Sequence, residues 1–306
     1  MSQVFKDLHW RRDIPLKEYL VPETLAQALQ ILEKYKGRSR IIAGGTDVIV
    51  ELRRRDSEVE TLVDITRIPG MSSIELQGDT IILGGLVTHA QAAASRLIRE
   101  KAGILASGCA AVGSPQIRTV ATVAGNLVSG RAAADSSIPL LALDAQVTVA
   151  SAKGERVVPL RDFFVHLGKT VVDPTREILT RIEFKPLGPD QGGCYLRLSK
   201  RRALALPMLV CAVVVTIDKA KQVIAQAAIA LGPVAPTPFR DTRTEEAIKG
   251  KPATLQTLRE AAQSASGCCS PRDSLLRGSS EYRKEMVKVL VKRGLRRALE
   301  QAGCTL

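Results

Sequence analysis

Histidine and aromatic side chains are scarce in this chain: 306 residues include three histidines, and Phe, Trp and Tyr together make up 3%. So few rings leave little to stack on unpaired bases, which argues against single-stranded nucleic acid as a ligand. His9, His89 and His166 stand far apart, without the short spacings that gather zinc or iron. The six cysteines, Cys109, Cys194, Cys211, Cys268, Cys269 and Cys304, contain no CxxC pair. They are expected to be reduced structural thiols, and the chain offers no iron–sulfur site of its own. No apolar run reaches the eighteen or so residues that a membrane span needs; the longest, near 207–217 and 223–231, have strand length. Residues 1–12 are polar and lack a signal core, so a cytoplasmic protein is expected. No Ser-His-Asp or Cys-His constellation stands out, and no catalytic side chain is assigned.

Positive charge is plentiful, with a formal net charge of +13. Its clusters are Arg53-Arg54-Arg55, Lys200-Arg201-Arg202 and Lys292-Arg293 with Arg296-Arg297. No zinc-finger, RRM or basic-zipper pattern accompanies them, so nucleic acid is not the expected partner. A solvated basic face is one reading, and a docking face for an acidic partner is the other. A hydrophobic content of 45% over this length supports a substantial core and suggests two domains.

Periodicity places a short strand at 17–21 and a helix opened by Pro22-Glu23-Thr24. Leu25, Ala28, Leu29 and Leu32 recur at helical spacing there, and Lys34, Lys36 and Gly37 supply the stop. Strands are expected at 40–43, 62–65, 73–76 and 80–83, with Gly78-Asp79 as a hairpin turn. Small-residue helices follow at 89–99 and 102–112. Asp135 is read as the N-cap of a helix with Pro139 in its first turn. Strands at 145–150, 156–160 and 177–184 precede a linker at 186–193. Beyond it come long antiparallel strands at 194–199, 208–218 and 222–231 and helices at 244–249, 255–264 and 282–301. In the last helix Tyr282, Met286, Val289 and Leu290 form an apolar stripe read as core. An α+β architecture results.

Two glycine-bearing segments carry the chemistry: Ile41-Ile42-Ala43-Gly44-Gly45-Thr46-Asp47 and Thr122-Val123-Ala124-Gly125-Asn126. Glycine lets backbone N–H groups converge on phosphate oxygens with no Cβ in the way, although the same residues also make ordinary tight turns. The two segments lie roughly 80 residues apart, outside any single βαβ unit, and neither reads G-x-G-x-x-G or G-K-[ST]. A Rossmann fold and a P-loop are therefore excluded. Two separated segments closing on one pyrophosphate imply a groove between subdomains.

Ala43-Gly44-Gly45-Thr46-Asp47 and Thr122-Val123-Ala124-Gly125-Asn126, followed by Ala133-Ala134-Asp135 and the run 139–145, resemble the flavin-binding medium subunit of the molybdenum hydroxylases, the family of carbon monoxide dehydrogenase and bacterial xanthine dehydrogenases. The run from Leu276 to Arg283 resembles that family's late signature, so the similarity covers nearly the whole chain. It implies a two-subdomain FAD-binding domain of the PCMH (vanillyl-alcohol oxidase-like) type at 1–186, divided at about 67/68. A small α+β domain with an antiparallel sheet is implied at 193–306.

By the same resemblance Ile42, Ala43, Gly44, Gly45, Thr46 and Asp47 wrap the FAD diphosphate through backbone N–H groups and the Thr46 hydroxyl. Thr122, Gly125 and Asn126 bind its other side, Asp135 accepts hydrogen bonds from ribityl or neighbouring hydroxyls, and Leu179 and Arg197 lie near the isoalloxazine. The implied partners are a molybdopterin-containing large subunit and a small [2Fe–2S] subunit, assembled as a dimer of heterotrimers. Electrons would pass from the clusters to non-covalent FAD and on to NAD or a quinone-type acceptor.

Three departures from the family pattern stand out. Ala124 replaces a usual glycine, Arg131-Ala132 stands where Ser-Pro is common, and 202–206 lacks an acidic residue often found after the arginine. Two other classes remain open to the sequence: a self-contained flavin oxidoreductase of the same fold, and a non-catalytic basic assembly module.

Overall fold

The computed structural model describes residues 16–35, 37–53, 58–201 and 204–305. The polar stretch 1–12, Lys36, Arg54, Arg55, Arg202 and Ala203 lie outside them.

The first region is a parallel sheet of β1 (Glu18–Leu20), β2 (Ser39–Ile42) and β3 (Thr61–Asp64), in the order β1-β3-β2. Helix α1 (Leu25–Tyr35) buries Ala28 and Leu32 against it, and Gly37, at φ +89°, takes the left-handed turn that ends the helix. Beyond β2 the glycine pair leads directly into a short helix, α2 (Val48–Leu52).

The second region is an antiparallel sheet of β4 (Ile74–Gln77), β5 (Thr80–Gly84), β6 (Gln146–Ser151), β7 (Gly154–Pro159) and β10 (Glu177–Phe184), in the order β4-β5-β10-β6-β7. Between β7 and β10 lies a small hairpin, β8 (Phe164–His166) and β9 (Lys169–Thr170). Six short helices interrupt this sheet between β5 and β6: α3 (His89–Ala94), α4 (Arg96–Lys101), α5 (Gly103–Ala111), α6 (Pro115–Val120), α7 (Val123–Val128) and α8 (Ser137–Ala142). The single helix expected at 89–99 is split at Ser95, whose extended ψ of 125° stops α3 while its hydroxyl caps α4.

The third region is the antiparallel sheet β11 (Gln191–Leu198), β12 (Leu209–Asp218), β13 (Val223–Gly232) and β14 (Phe239–Arg240), with α9 (Thr242–Ile248), α10 (Leu255–Cys268) and α11 (Ser280–Gln301). Strand β12 is buried on both faces, which explains its unbroken apolar run. Val210, Ala212 and Val214 join the core of the second region, whereas Cys211, Val213 and Val215 pack with α10 and α11. The linker expected at 186–193 is therefore shorter, because Gln191, Gly192 and Gly193 already pair with Thr216, Val215 and Val214. A Cβ on Gly192 would sit 1.8 Å from the Ala298 carbonyl oxygen, so this glycine serves close strand–helix packing rather than flexibility.

On α11 the buried face is Arg283, Val287, Leu290, Val291, Gly294, Leu295, Ala298 and Leu299. Of the stripe read from Tyr282, Leu290 is buried and Met286 packs against the core, but Tyr282 is exposed, and the helix turns Arg283 inward, where it donates to the carbonyls of Met208 and Arg272. Arg293, Arg296 and Arg297 lie on its solvent side.

Candidate functional site: a cavity between two glycine segments

The two glycine segments meet in space. Gly44 lies so close to α6 that a Cβ would fall 2.0 Å from the Val120 carbonyl oxygen and 2.9 Å from the Ala121 nitrogen. Gly45 holds φ +68°, a left-handed conformation in which side chains are strained. The first glycine thus permits contact and the second turns the chain into α2. Asp47 occupies the N-cap position of that helix with αR backbone and no side-chain capping bond, so its carboxylate is not spent on the cap.

The second segment is the start of a helix, not a loop. Thr122 is the N-cap of α7, and its hydroxyl accepts from the Gly125 N–H at 3.0 Å. A Cβ on Gly125 would come 2.8 Å from that hydroxyl, so glycine here keeps the cap compact. The Val123 N–H donates to the Val87 carbonyl, leaving Ala124, at the second helical position, without an intrahelical acceptor. Ala124 is helical and is not among the residues with positive φ, so alanine replaces glycine here without backbone strain. The Asn126 Oδ1 accepts from the Ser136 hydroxyl at 2.7 Å, which orients its amide nitrogen away from Ser136.

A cavity of about 330 Å³ opens between these segments. Ala43, Gly44, Gly45, Thr46 and Asp47 form one wall, and Thr122, Ala124, Gly125 and Asn126 the other. Leu179 closes a third side together with Glu177 and Ile178 of β10. A bulge sets Leu179 there: the β6–β10 register shifts between Leu179 and Arg181, and the Thr180 carbonyl accepts from the Gly85 N–H at 2.7 Å.

Three residues expected at the site lie outside the lining of this cavity. Ile42 is buried behind the wall with Leu52 and Leu62. Asp135 and Arg197 do not line the cavity; they form a buried ion pair, Arg197 Nε to Asp135 Oδ1 at 2.8 Å, with Tyr195 donating its hydroxyl to the same oxygen at 2.7 Å. Asp135 is also not the cap read from the sequence. Helix α8 begins at Ser137 with Ser136 at the N-cap; the Ser136 hydroxyl goes to Asn126 instead of capping, and the Asp135 carboxylate is turned toward β11. Burial raises the Asp135 pKa, opposed by hydrogen bonds from Arg197 and Tyr195 and by the Arg197 charge. Burial also holds the Tyr195 hydroxyl well above its usual range. This trio ties the second region to the third.

Sequence reasoning passed over several cavity residues: Arg40, Glu51, Gly85, Ile117, Glu177 and His89. His89 is the most unusual. It is fully buried, and neither ring nitrogen has a hydrogen-bond partner among the described residues. Burial and the nearby Arg118 guanidinium push its pKa down to about 4, so the ring is neutral at physiological pH. The Thr88-x-x-Gln91 capping box, present in full, fixes the start of α3 and so puts His89 at its first position. That motif was visible in the sequence; the neighbouring wall was not.

Comparisons with known proteins show the family to which the chain belongs. Residues 13–186 match the family model of the FAD-binding domain in molybdopterin dehydrogenases, and residues 194–298 match that of the CO dehydrogenase flavoprotein C-terminal domain. The chain is 29% identical over 282 residues to a xanthine dehydrogenase FAD-binding subunit of Escherichia coli O157:H7, covering 92% of this chain and 95% of that protein. It is 30% identical over 291 residues to the 6-hydroxypseudooxynicotine dehydrogenase complex subunit alpha of Paenarthrobacter nicotinovorans, covering 95% and 97%. Among solved structures, a carbon monoxide dehydrogenase from Hydrogenophaga pseudoflava matches with a TM-score of 0.89 at 27% identity, covering 94% of this chain and 99% of that one. With both family models spanning most of its length, the chain belongs to the FAD-binding flavoprotein family of the molybdopterin dehydrogenases.

Proposed function

We propose that this chain is the electron-relay subunit of a cytoplasmic molybdenum hydroxylase, taking electrons from the [2Fe–2S] clusters of a partner and delivering them to an external acceptor through non-covalent FAD. The observation that carries the reading is the closure of Gly44 onto Val120–Ala121, which makes one cavity out of the two glycine segments. The residues present suit the cofactor. N–H groups at the starts of α2 and α7, the Asn126 amide and the Thr46 hydroxyl are donors of the kind a diphosphate needs. The orphaned nitrogens of His89 are further polar groups in want of a partner.

When bound, FAD supplies a centre that handles one or two electrons, a capacity that no side chain has. The chain's part is to bind, orient and shield. Gly44 and Gly45 bring backbone to the phosphates, while Ile41, Ile65, Val128, Ile178 and Leu179 give apolar walls that exclude water. Ile42 packs behind the first segment with Leu52 and Leu62. The net charge of +13 suits docking to more acidic subunits. Purification from the native host tests the proposal: a flavin spectrum should co-elute with a molybdenum subunit and a small iron–sulfur subunit. A yellow protein with neither partner would count for the self-contained oxidoreductase instead.

A further inference from the structure

We propose that His89 is a ligand for the cofactor's diphosphate, giving a hydrogen bond to a phosphate oxygen and taking up a proton from solvent as the dianion seats. The inference rests on the proposed FAD site and names a role for a residue outside both glycine segments. His89 belongs to the cavity lining, is fully buried, and has no partner on either ring nitrogen among the described residues. A buried imidazole with no partner at all is costly unless a ligand completes it. Its place is where the two segments converge: the His89 N–H donates to the Ala121 carbonyl at 3.0 Å, and Val120 and Ala121 are the residues against which Gly44 closes.

The surrounding charges suit an anion. Helices α4, α5 and α6 pack against α3. Helix α6 brings Arg118, and the only ionisable group of α5 is Cys109, whose thiol is pushed up by burial. Arg96, Arg99, Glu100 and Lys101 of α4 lie exposed. Elsewhere in the cavity wall stand Arg40, Asp47, Glu51 and Glu177. Without an anion, Arg118 opposes protonation of His89; two negative charges beside the imidazole reverse that balance.

The test is FAD affinity of the flavin-free full chain between about pH 5.5 and 8, where neither the phosphodiester groups nor the isoalloxazine titrates. Affinity should rise as pH falls, by at most about tenfold per unit for one proton taken up. His89→Leu should weaken binding about tenfold near pH 6 and flatten the profile; His89→Asn should restore part of the affinity but not the slope. ADP-ribose, which keeps the diphosphate, should show the wild-type slope, and riboflavin should not. Imidazole NMR of wild type needs no variant: with three histidines in the chain, one neutral ring should become protonated on FAD binding. Tight FAD binding with no pH dependence and no change in that ring would overturn the role of His89 alone. Failure of the wild-type chain to bind FAD would overturn the proposed site with it.

Discussion

Two buried polar sites lie within the stretch of short helices, and they are built in opposite ways. At the junction, the Asp135 carboxylate is engaged by Tyr195 and Arg197, whose Nη2 also donates to the Ala205 carbonyl. At the cavity, His89 is buried just as deeply yet makes no side-chain hydrogen bond among the described residues. The difference teaches how to separate architecture from ligand site. A satisfied network holds parts of one chain together, whereas a buried group left without partners is matched to something the chain does not supply.

The largest effect should come from the junction. Asp135→Ala leaves the Arg197 guanidinium buried and uncompensated, and should destabilise the protein by about 3–5 kcal/mol in urea unfolding. Adding Arg197→Met should recover much of that loss. If Asp135→Ala instead spares stability and abolishes FAD binding, the contrast drawn between the two sites is wrong and Asp135 is a cofactor ligand.

The cavity side gives a smaller effect with a definite sign. Folded, flavin-free protein binds a proton at His89 only near pH 4, whereas the unfolded chain binds it near the ordinary value of 6.5. Between these values the unfolded state holds more protons, so this contribution to stability is complete above pH 6.5 and is lost as pH falls through 4. Wild type should lose roughly 3 kcal/mol more than His89→Leu across that window, read as the difference between their unfolding curves. Equal losses would show that His89 is not held neutral by the fold.

The smallest effect concerns the alanine that departs from the family pattern. Ala124→Gly should cost about 0.5–1 kcal/mol in thermal unfolding and leave FAD affinity unchanged, because Ala124 already has helical backbone. A gain in affinity would mean that its methyl group obstructs the site.

Strands were well marked in the sequence where side-chain chemistry and pairing agree. The 177–184 strand falls where it was expected, and its alternation runs from Arg181 to Phe184, after the bulge at Thr180, which pattern alone does not reveal. Helix α7 was concealed because Val123-Ala124-Gly125-Asn126 has poor helix propensity; its stability comes from the Thr122 cap and a buried face, not from its residues. Asp135 was misread because its local neighbours, Ser136, Ser137 and Pro139, form a plausible helix start, while its real partners lie 60 and 62 residues away. His89 had no sequence signal beyond its capping box. Its meaning depends on Ala121 and Arg118, which only the folded chain brings beside it.

The central claim is that both glycine segments enclose one FAD, and titrating FAD into the flavin-free chain and its Gly44→Ala variant tests it most directly. Wild type should bind one FAD per chain, released intact by acid. The variant, whose new Cβ meets the Val120 carbonyl at 2.0 Å, should bind at least about tenfold more weakly while keeping its circular dichroism. Equal FAD affinity in a folded Gly44→Ala protein would contradict the account.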